Sequence, residues 1–302
     1  MLNNEYKERV QLLLRFIPII AKTDCFAIHG GTAINLFIQN LFRYSVDIDL
    51  TYIPIQPRDE SLAAIKSCLA GIKENIKKAI PGIMIQDRPN KLICTYRGAF
   101  VKIEVNDVKR GIIDNTITMP LCKAAQNIFG VLCEARLVPL SQIYGGKISA
   151  ALDRQHPRDL FDIKYMFEYI KDFEEIRRGF IYCLLGCDRP VLELLSPNMI
   201  DHRYTMEKQF VGMTDVPFSY EEYENVRNLL VDYVNYNLSE RDKRFLISFE
   251  AGTPDCDNSN YSGFKDYPSV KWKLLNINKL IKSNPQKQNQ GVNRLRDFLN
   301  LP

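Results

Sequence analysis

The chain has only three histidines in 302 residues, and its eight cysteines form no C-x-x-C pair. That argues against a zinc site. Cys25, Cys68, Cys94, Cys122, Cys133, Cys183, Cys187 and Cys256 stand mostly among apolar neighbours, which reads as reduced thiols rather than a disulfide framework. No apolar run approaches the ~20 residues of a membrane span. The first twenty residues carry Glu5, Lys7, Glu8 and Arg9, then apolar positions broken by Arg15 and Pro18. Tyr6, Val10, Leu13, Leu14 and Ile17 recur at helical spacing, so this is an amphipathic helix and not a signal peptide. The expected location is the cytoplasm, with no membrane partner. A net charge of +4 permits a polyanionic partner without requiring one. There is no internal repeat and no stretch composed like a flexible linker.

What the chain does have is a full core's worth of apolar residues, 46% of the total, enough for one large or two ordinary domains. Its first half alternates strand-like and helical segments. A run at 25–28 ends in Gly30-Gly31, a helical segment follows from Thr32 to Leu41, and a strand carries Val46 to Leu50. Residues 59–80 repeat apolar positions at helical intervals until Pro81-Gly82, and short runs at 83–87, 91–96 and 99–107 predict an antiparallel meander. From residue 141 the pattern is mainly helical, with helices expected at 141–155, from Arg158, and at 172–186, 220–237 and 271–283. The stretch 252–269 is rich in Gly, Pro, Ser, Asn and Asp and reads as a long loop. The expected organisation is a domain of about 1–139 packed directly on a helical domain of 140–302.

Within the strand, Asp47 and Asp49 alternate with Val46, Ile48 and Leu50. Both carboxylates therefore leave one face, roughly 6.5–7 Å apart at Cα. A carboxylate pair of this kind suits a hard divalent cation. Gly30-Gly31 precedes it at a point where backbone N–H groups can meet a phosphate. Arg43 and Ser45 stand where they can orient or neutralise groups around the pair, because two like charges on one face repel. In the strand 99–107, Val101, Ile103 and Val105 point one way and Lys102 and Glu104 the other, which makes Glu104 a third candidate acid. A phosphate cradle beside carboxylates that bind Mg²⁺ suggests chemistry on a nucleotide, and two ions about 3.5–4 Å apart would clamp an in-line displacement.

The string H-G-G-T-A-x-N-L at 29–36, followed by R-Y-S-V-D-I-D-L at 43–50, resembles the first motif of the AbiEii/AbiGii-toxin-like nucleotidyltransferases, a branch of the polymerase-β-like superfamily. K-I-E-V at 102–105 resembles their strand with the third acid, and K-I-S-A-A-L-D-R-x-x-P-R-D-L-F-D-I at 147–163 their second signature. R-F-L-I-S-F at 244–249 and the segment 267–280 resemble their C-terminal half. The resemblance implies an α+β fold: a mixed sheet flanked by helices, then a mainly helical C-terminal domain that contributes to the active site and to acceptor binding. It further implies that Asp47 and Asp49, with Glu104 as ligand or base, hold the Mg²⁺ ions. Gly30, Gly31 and Thr32 would approach a nucleoside triphosphate, supported by Arg43 and Ser45. Lys147 would meet the triphosphate, and Asp159 and Asp162 fall on the second signature's acids, with Asp162 positioning the base or the attacking hydroxyl.

Each of those residues also has an ordinary reading. Lys147 can be an exposed helix lysine, Asp159 a first-turn residue complementing the helix dipole, Asp162 a solvated helix position, and His29 a hydrogen-bonded structural residue. His156 and His202 carry no assignment. Basic residues recur at Arg177-Arg178, Arg241 to Arg244, Lys265, Lys271-Lys273, Lys279-Lys282, Lys287 and Arg294-Arg296 with aromatics between them. They read either as an RNA track or as solvated helix faces. The function implied is Mg²⁺-dependent transfer of a nucleoside monophosphate from an NTP to RNA, such as a tRNA end. The protein would act as a toxin beside a cognate antitoxin or in phage defence. Transfer to a protein hydroxyl and a non-enzymatic nucleotide- or partner-binding role are the alternatives.

Overall fold

The computed structural model describes residues 4–256 and 260–301, and the chain divides into two units. The first comprises Met1–Ile143 together with Glu207–Pro217, the second Tyr144–Met206 with Phe218–Pro302.

The first unit is built on a seven-stranded mixed sheet. After α1 (Asn4–Ile20) come β1 (Phe26–His29), α2 (Gly30–Ala33), a π-helical turn (Ile34–Ile38), β2 (Asp47–Tyr52) and α3 (Arg58–Ala79). The predicted meander forms as β3 (Met84–Arg88), β4 (Lys91–Tyr96) and β5 (Ala99–Asn106). Beyond it lie β6 (Ile117–Pro120), α4 (Lys123–Phe129) and β7 (Glu134–Leu137). The strand order is β3-β4-β5-β2-β1-β7-β6, with β2–β5 and β1–β7 parallel and the other pairs antiparallel.

Alternation along the strands decides which face is covered. Val101, Ile103 and Val105 of β5 and Ile48 and Leu50 of β2 are buried, as are Val10, Leu13, Leu14 and Ile17 of α1. Ile65, Leu69, Ile72 and Ile76 give α3 its own buried stripe at helical spacing, and α3 lies beside α1. Each such side chain contributes about 1.5–3 kcal/mol on burial. This burial pins the register, since a one-residue slip of β2 would drive Asp47 and Asp49 into the core. All eight cysteines are free, as expected, and burial raises the Cys94 thiol to about 12. Cys25 and Cys68 bring their Sγ atoms within 3.0 Å of each other.

The segment Glu207–Pro217 belongs to this unit despite its place in the sequence. Tyr44 N–H donates to the Met213 carbonyl at 2.7 Å, and the Thr214 hydroxyl donates to the Phe42 carbonyl at 2.6 Å. The loop ahead of the Asp-x-Asp strand is thus tied down by residues far along the chain.

The second unit is helical. It contains most of α5 (Leu140–Arg154), α6 (Pro157–Tyr169), α7 (Glu174–Leu185), α8 (Val191–Leu195) and the start of α9 (Arg203–Gln209). It resumes with α10 (Tyr220–Asn237), α11 (Glu240–Glu250), α12 (Pro268–Ser283) and α13 (Pro285–Phe298). Local chemistry explains several starts. Ser219 accepts from Glu222 N–H, Ser239 and Asp242 form a reciprocal capping box, and Pro268 and Pro285 open α12 and α13 at the first turn. Gly145 permits α5 to touch α7, because a Cβ there would lie 2.3 Å from the Gly179 carbonyl carbon. The expected loop at 252–269 is shortened by a 3₁₀ turn (Ser262–Asp266) and by α12 starting at Pro268, and its residues 257–259 fall outside the described ones.

Candidate active site

The sheet register assembles a polar row across the first unit. Asp49 lies opposite His29 of β1 on one side and Glu104 of β5 on the other, Glu104 lies opposite Lys91 of β4, and Asp47 lies opposite Lys102. Residues in register share a face, so the two aspartates and Glu104 do so as the alternation predicts. Neighbouring like charges would repel, and the row supplies its own cations. Lys91 and Lys102 reach Glu104 at 2.9 and 2.8 Å. Partial burial would raise the Glu104 carboxyl, but hydrogen bonds from Lys102 and Lys91 outweigh it and hold the group below its ordinary value. His29 is structural, as its ordinary reading has it: its Nδ1 meets the Thr51 hydroxyl at 3.0 Å.

One cation at this site was not singled out in the sequence. Arg9, on the buried side of α1, donates from Nε to the Phe100 carbonyl at 2.9 Å, and its guanidinium lies 3.7 Å from the Phe100 ring centroid. Its Nη2 also comes within 3.7 Å of Asp47 Oδ1. The signal was present as a charged residue on the apolar stripe of an amphipathic helix.

The glycine turn packs directly against these groups. Gly30 has φ of +72°, a conformation that favours glycine, and a Cβ there would sit 2.9 Å from Asp49 Oδ2. A Cβ on Gly31 would sit 2.7 Å from Arg43 Nη2 and 2.9 Å from Ser45 Oγ. The hydroxyl of buried Thr32 donates to the Asp47 carbonyl and bonds Ser45 Oγ at 3.1 Å, while Asn35 Oδ1 accepts from Arg43 N–H at 3.3 Å. Thr32 and Ser45 thus fasten the turn to β2, with Arg43 packed against Gly31. Asn35, inside the first motif but given no role from sequence, is part of this fastening. We expect Gly31→Ala to destabilise the fold by about 1–3 kcal/mol through overpacking, read as a lower melting temperature, with transfer activity falling alongside it.

A second cluster forms in the helical unit. Lys147 of α5 bonds Asp159 and Asp162 of α6, each at 2.8 Å, and Arg154 bonds Asp159 at 2.6 Å. Lys147 is 7% exposed, Asp159 1% and Asp162 0%, so neither the exposed lysine nor the solvated Asp162 of the ordinary readings survives. Burial pushes the Asp159 carboxyl up, and Lys147 and Arg154 more than offset it, holding the group well below the carboxylate range. The corner between α5 and α6 is made by Gln155, which adopts φ of +50°. Its side chain bonds the Asn198 carbonyl, Ile200 N–H and Arg227, and its carbonyl accepts from the Tyr223 hydroxyl. His156 caps α6 by accepting from Arg158 N–H, and Pro157 follows at the first turn.

The sign of the acid response follows from Asp159. A carboxyl lowered in the folded state contributes stability above its unfolded value, and that stability is lost as pH falls toward the folded one. Melting temperature is expected to drop between about pH 5 and pH 2, and Asp159→Asn to flatten that drop while lowering stability at neutral pH.

The model for the family described as "Nucleotidyl transferase AbiEii toxin, Type IV TA system" matches residues 11–275. The chain belongs to the AbiEii family. It is a nucleotidyltransferase of the toxin class found in type IV toxin–antitoxin systems. Among solved structures, MenT4, a nucleotidyltransferase toxin from Mycobacterium tuberculosis H37Rv, is similar in fold, with a TM-score of 0.63 and 15% identity over 91% of this chain and 95% of that one. No curated protein matches.

As a donor set for the divalent metal usual in such enzymes, Asp47 and Asp49 fit. They are hard carboxylates on one face, with the glycine turn so close that a single Cβ would fill the gap to Asp49. Glu104, the expected third acid, is paired with Lys91 and Lys102, and among the described residues no group of three or more His, Cys, Asp and Glu is arranged to hold an ion. The basic track read from sequence also contracts in this AbiEii chain. Arg177 pairs with Glu174 and Asp242, Arg244 with Glu240, and buried Lys273 bonds the Cys187 and Arg189 carbonyls. Among the described residues no helix is long and apolar enough to cross a membrane.

Proposed function

We propose that the chain transfers a nucleoside monophosphate from an NTP to an RNA hydroxyl, most simply a tRNA end, with Mg²⁺ at Asp47 and Asp49, as the toxin partner of a cognate antitoxin. The observation that carries this reading is the apposition of Gly30 to Asp49 within a family of nucleotidyltransferase toxins. The backbone N–H groups of Gly30 and Gly31 are the chain's contacts to the triphosphate, in keeping with phosphate binding where a glycine turn opens a helix. Arg9, Lys91 and Lys102 offset the charge of the acidic row and of the incoming phosphates. Glu104, held ionised by two lysines, keeps those lysines in place and is not the base in this reading. Bound Mg²⁺ would neutralise phosphate charge and ease loss of the acceptor hydroxyl's proton. Lys147, Asp159 and Asp162 hold the α5–α6 corner of the helical unit.

The test offers each of the four labelled nucleoside triphosphates, with Mg²⁺, to total cellular RNA and protein. Label is expected in RNA and lost on chelation. Label in protein alone would replace the RNA acceptor by a protein hydroxyl, and label in neither would remove the transfer reading.

A further inference from the structure

Helix α12 has two faces of different character. Val270, Lys273 and Ile277 point inward and are buried. Trp272, Leu275, Lys279 and Lys282 follow one another at helical spacing on the outer side, a stripe about 15 Å long. Trp272 is 49% and Leu275 55% exposed, and Lys271, Lys279 and Lys282 are exposed around them. An exposed leucine alone is unremarkable. The tryptophan, the single one in the chain, is more telling: it lies on the surface with the Lys279 ammonium 5.7 Å from its ring centroid.

Charge identifies the occupant. Pro268–Ser283 contains no aspartate or glutamate, and α13 adds Lys287, Arg294 and Arg296 against Asp297 alone. Lys271 has an acid near it, Asp266 at 3.9 Å, but both are more than half exposed and such a pair is weak. Arg177 of α7 and Arg244 of α11, which looked basic in sequence, are matched by carboxylates; the outer face of α12 keeps its positive sign. A cationic surface with a flat aromatic ring suits a polyanion that has unpaired bases to stack.

We infer that the outer face of α12 binds an unpaired segment of RNA, with Trp272 stacking on a base and Lys271, Lys279 and Lys282 meeting phosphates. This rests on the proposed RNA acceptor and names one surface that holds it. Because Trp272 is the only tryptophan, its fluorescence reports on this face alone.

The experiment titrates the full chain, without NTP, with a short oligouridylate and with bulk tRNA, following tryptophan fluorescence and, for dye-labelled oligouridylate, anisotropy. Quenching is expected. The double variant Lys279→Glu, Lys282→Glu, checked for an unchanged melting temperature, should weaken binding tenfold or more and reduce the salt slope by about 1.4, at about 0.7 per phosphate contact on a single strand. Trp272→Ala should weaken it at least fivefold by anisotropy, and Trp272→Phe less. RNA binding that leaves Trp272 unquenched and ignores the double variant would overturn the inference, as would quenching by an acidic protein but not by RNA. If RNA takes label with an unchanged KM in the double variant, this surface fails while nucleotidyl transfer stands. If Trp272 is quenched by RNA yet no RNA takes label, the surface stands and the acceptor reading fails.

Discussion

Lys147→Met is expected to cost the fold about 3–5 kcal/mol, because it removes the cation that two buried carboxylates of the helical unit share. Asp159 and Asp162 each take a 2.8 Å bond from the Lys147 ammonium, and Asp162 has no exposure at all. Arg154 still holds the outer oxygen of Asp159, so the damage should centre on Asp162. At a few degrees per kcal/mol for a chain of this size, the melting temperature should fall by about 10 °C. Adding Asp162→Asn to Lys147→Met should restore part of that loss, since one of the two buried negative charges is then gone. A Lys147→Met protein that melts like the wild type but transfers no nucleotide would show instead that the ammonium works on the substrate and not on the fold.

Asp47→Ala and Asp49→Ala are expected to do the reverse, removing activity while sparing stability. In the proposed reading each loses a ligand of the charge-stabilising ion, which forfeits several kcal/mol of transition-state stabilisation, about a thousandfold or more in kcat/KM. Both side chains lie on the open face of β2, where like charges repel, so melting temperature should hold or rise slightly. Asp47→Ala carries one additional change, the removal of the partner of Arg9. Labelled-nucleotide transfer beside a thermal melt separates the two effects, and a variant that melts normally and keeps full transfer would dismiss the aspartates from the reaction.

How far the chain could be read from its letters varied with how local each feature was. The alternation of β2 and β5, the α3 stripe ending at Pro81-Gly82, and the opening of α6 beside Pro157 are written within a few neighbouring residues, and the structure has them where that pattern says. The segment after Thr32 was expected to be an ordinary helix to Leu41, but it widens into a π turn and stops at Ile38. Strands β6 and β7 were not legible, because four residues are too few for alternation to stand out. Helix α11 begins on a sound capping box, yet its polar first turn hid it among loops. The site divides in the same way. The shared face of Asp47 and Asp49 and that of Lys102 and Glu104 were visible along their own strands, whereas Arg9 and Lys91 reach the acids only through tertiary pairing. The burial of Lys147 was hidden for a similar reason: a lysine carries the same letter inside and out, and only its two carboxylates, twelve and fifteen residues on, keep it there.

The return of Glu207–Pro217 to the first unit bears on the order of events during synthesis. A ribosome adding about 5–20 residues per second exposes the glycine turn, the acidic row and all seven strands well before Met213 and Thr214 emerge to clasp residues 42–44. For several seconds the loop carrying Arg43 therefore lacks its fastening, so the nascent toxin stays unfinished until most of it has been made, and a fragment cut at residue 143 would keep the sheet without the clasp.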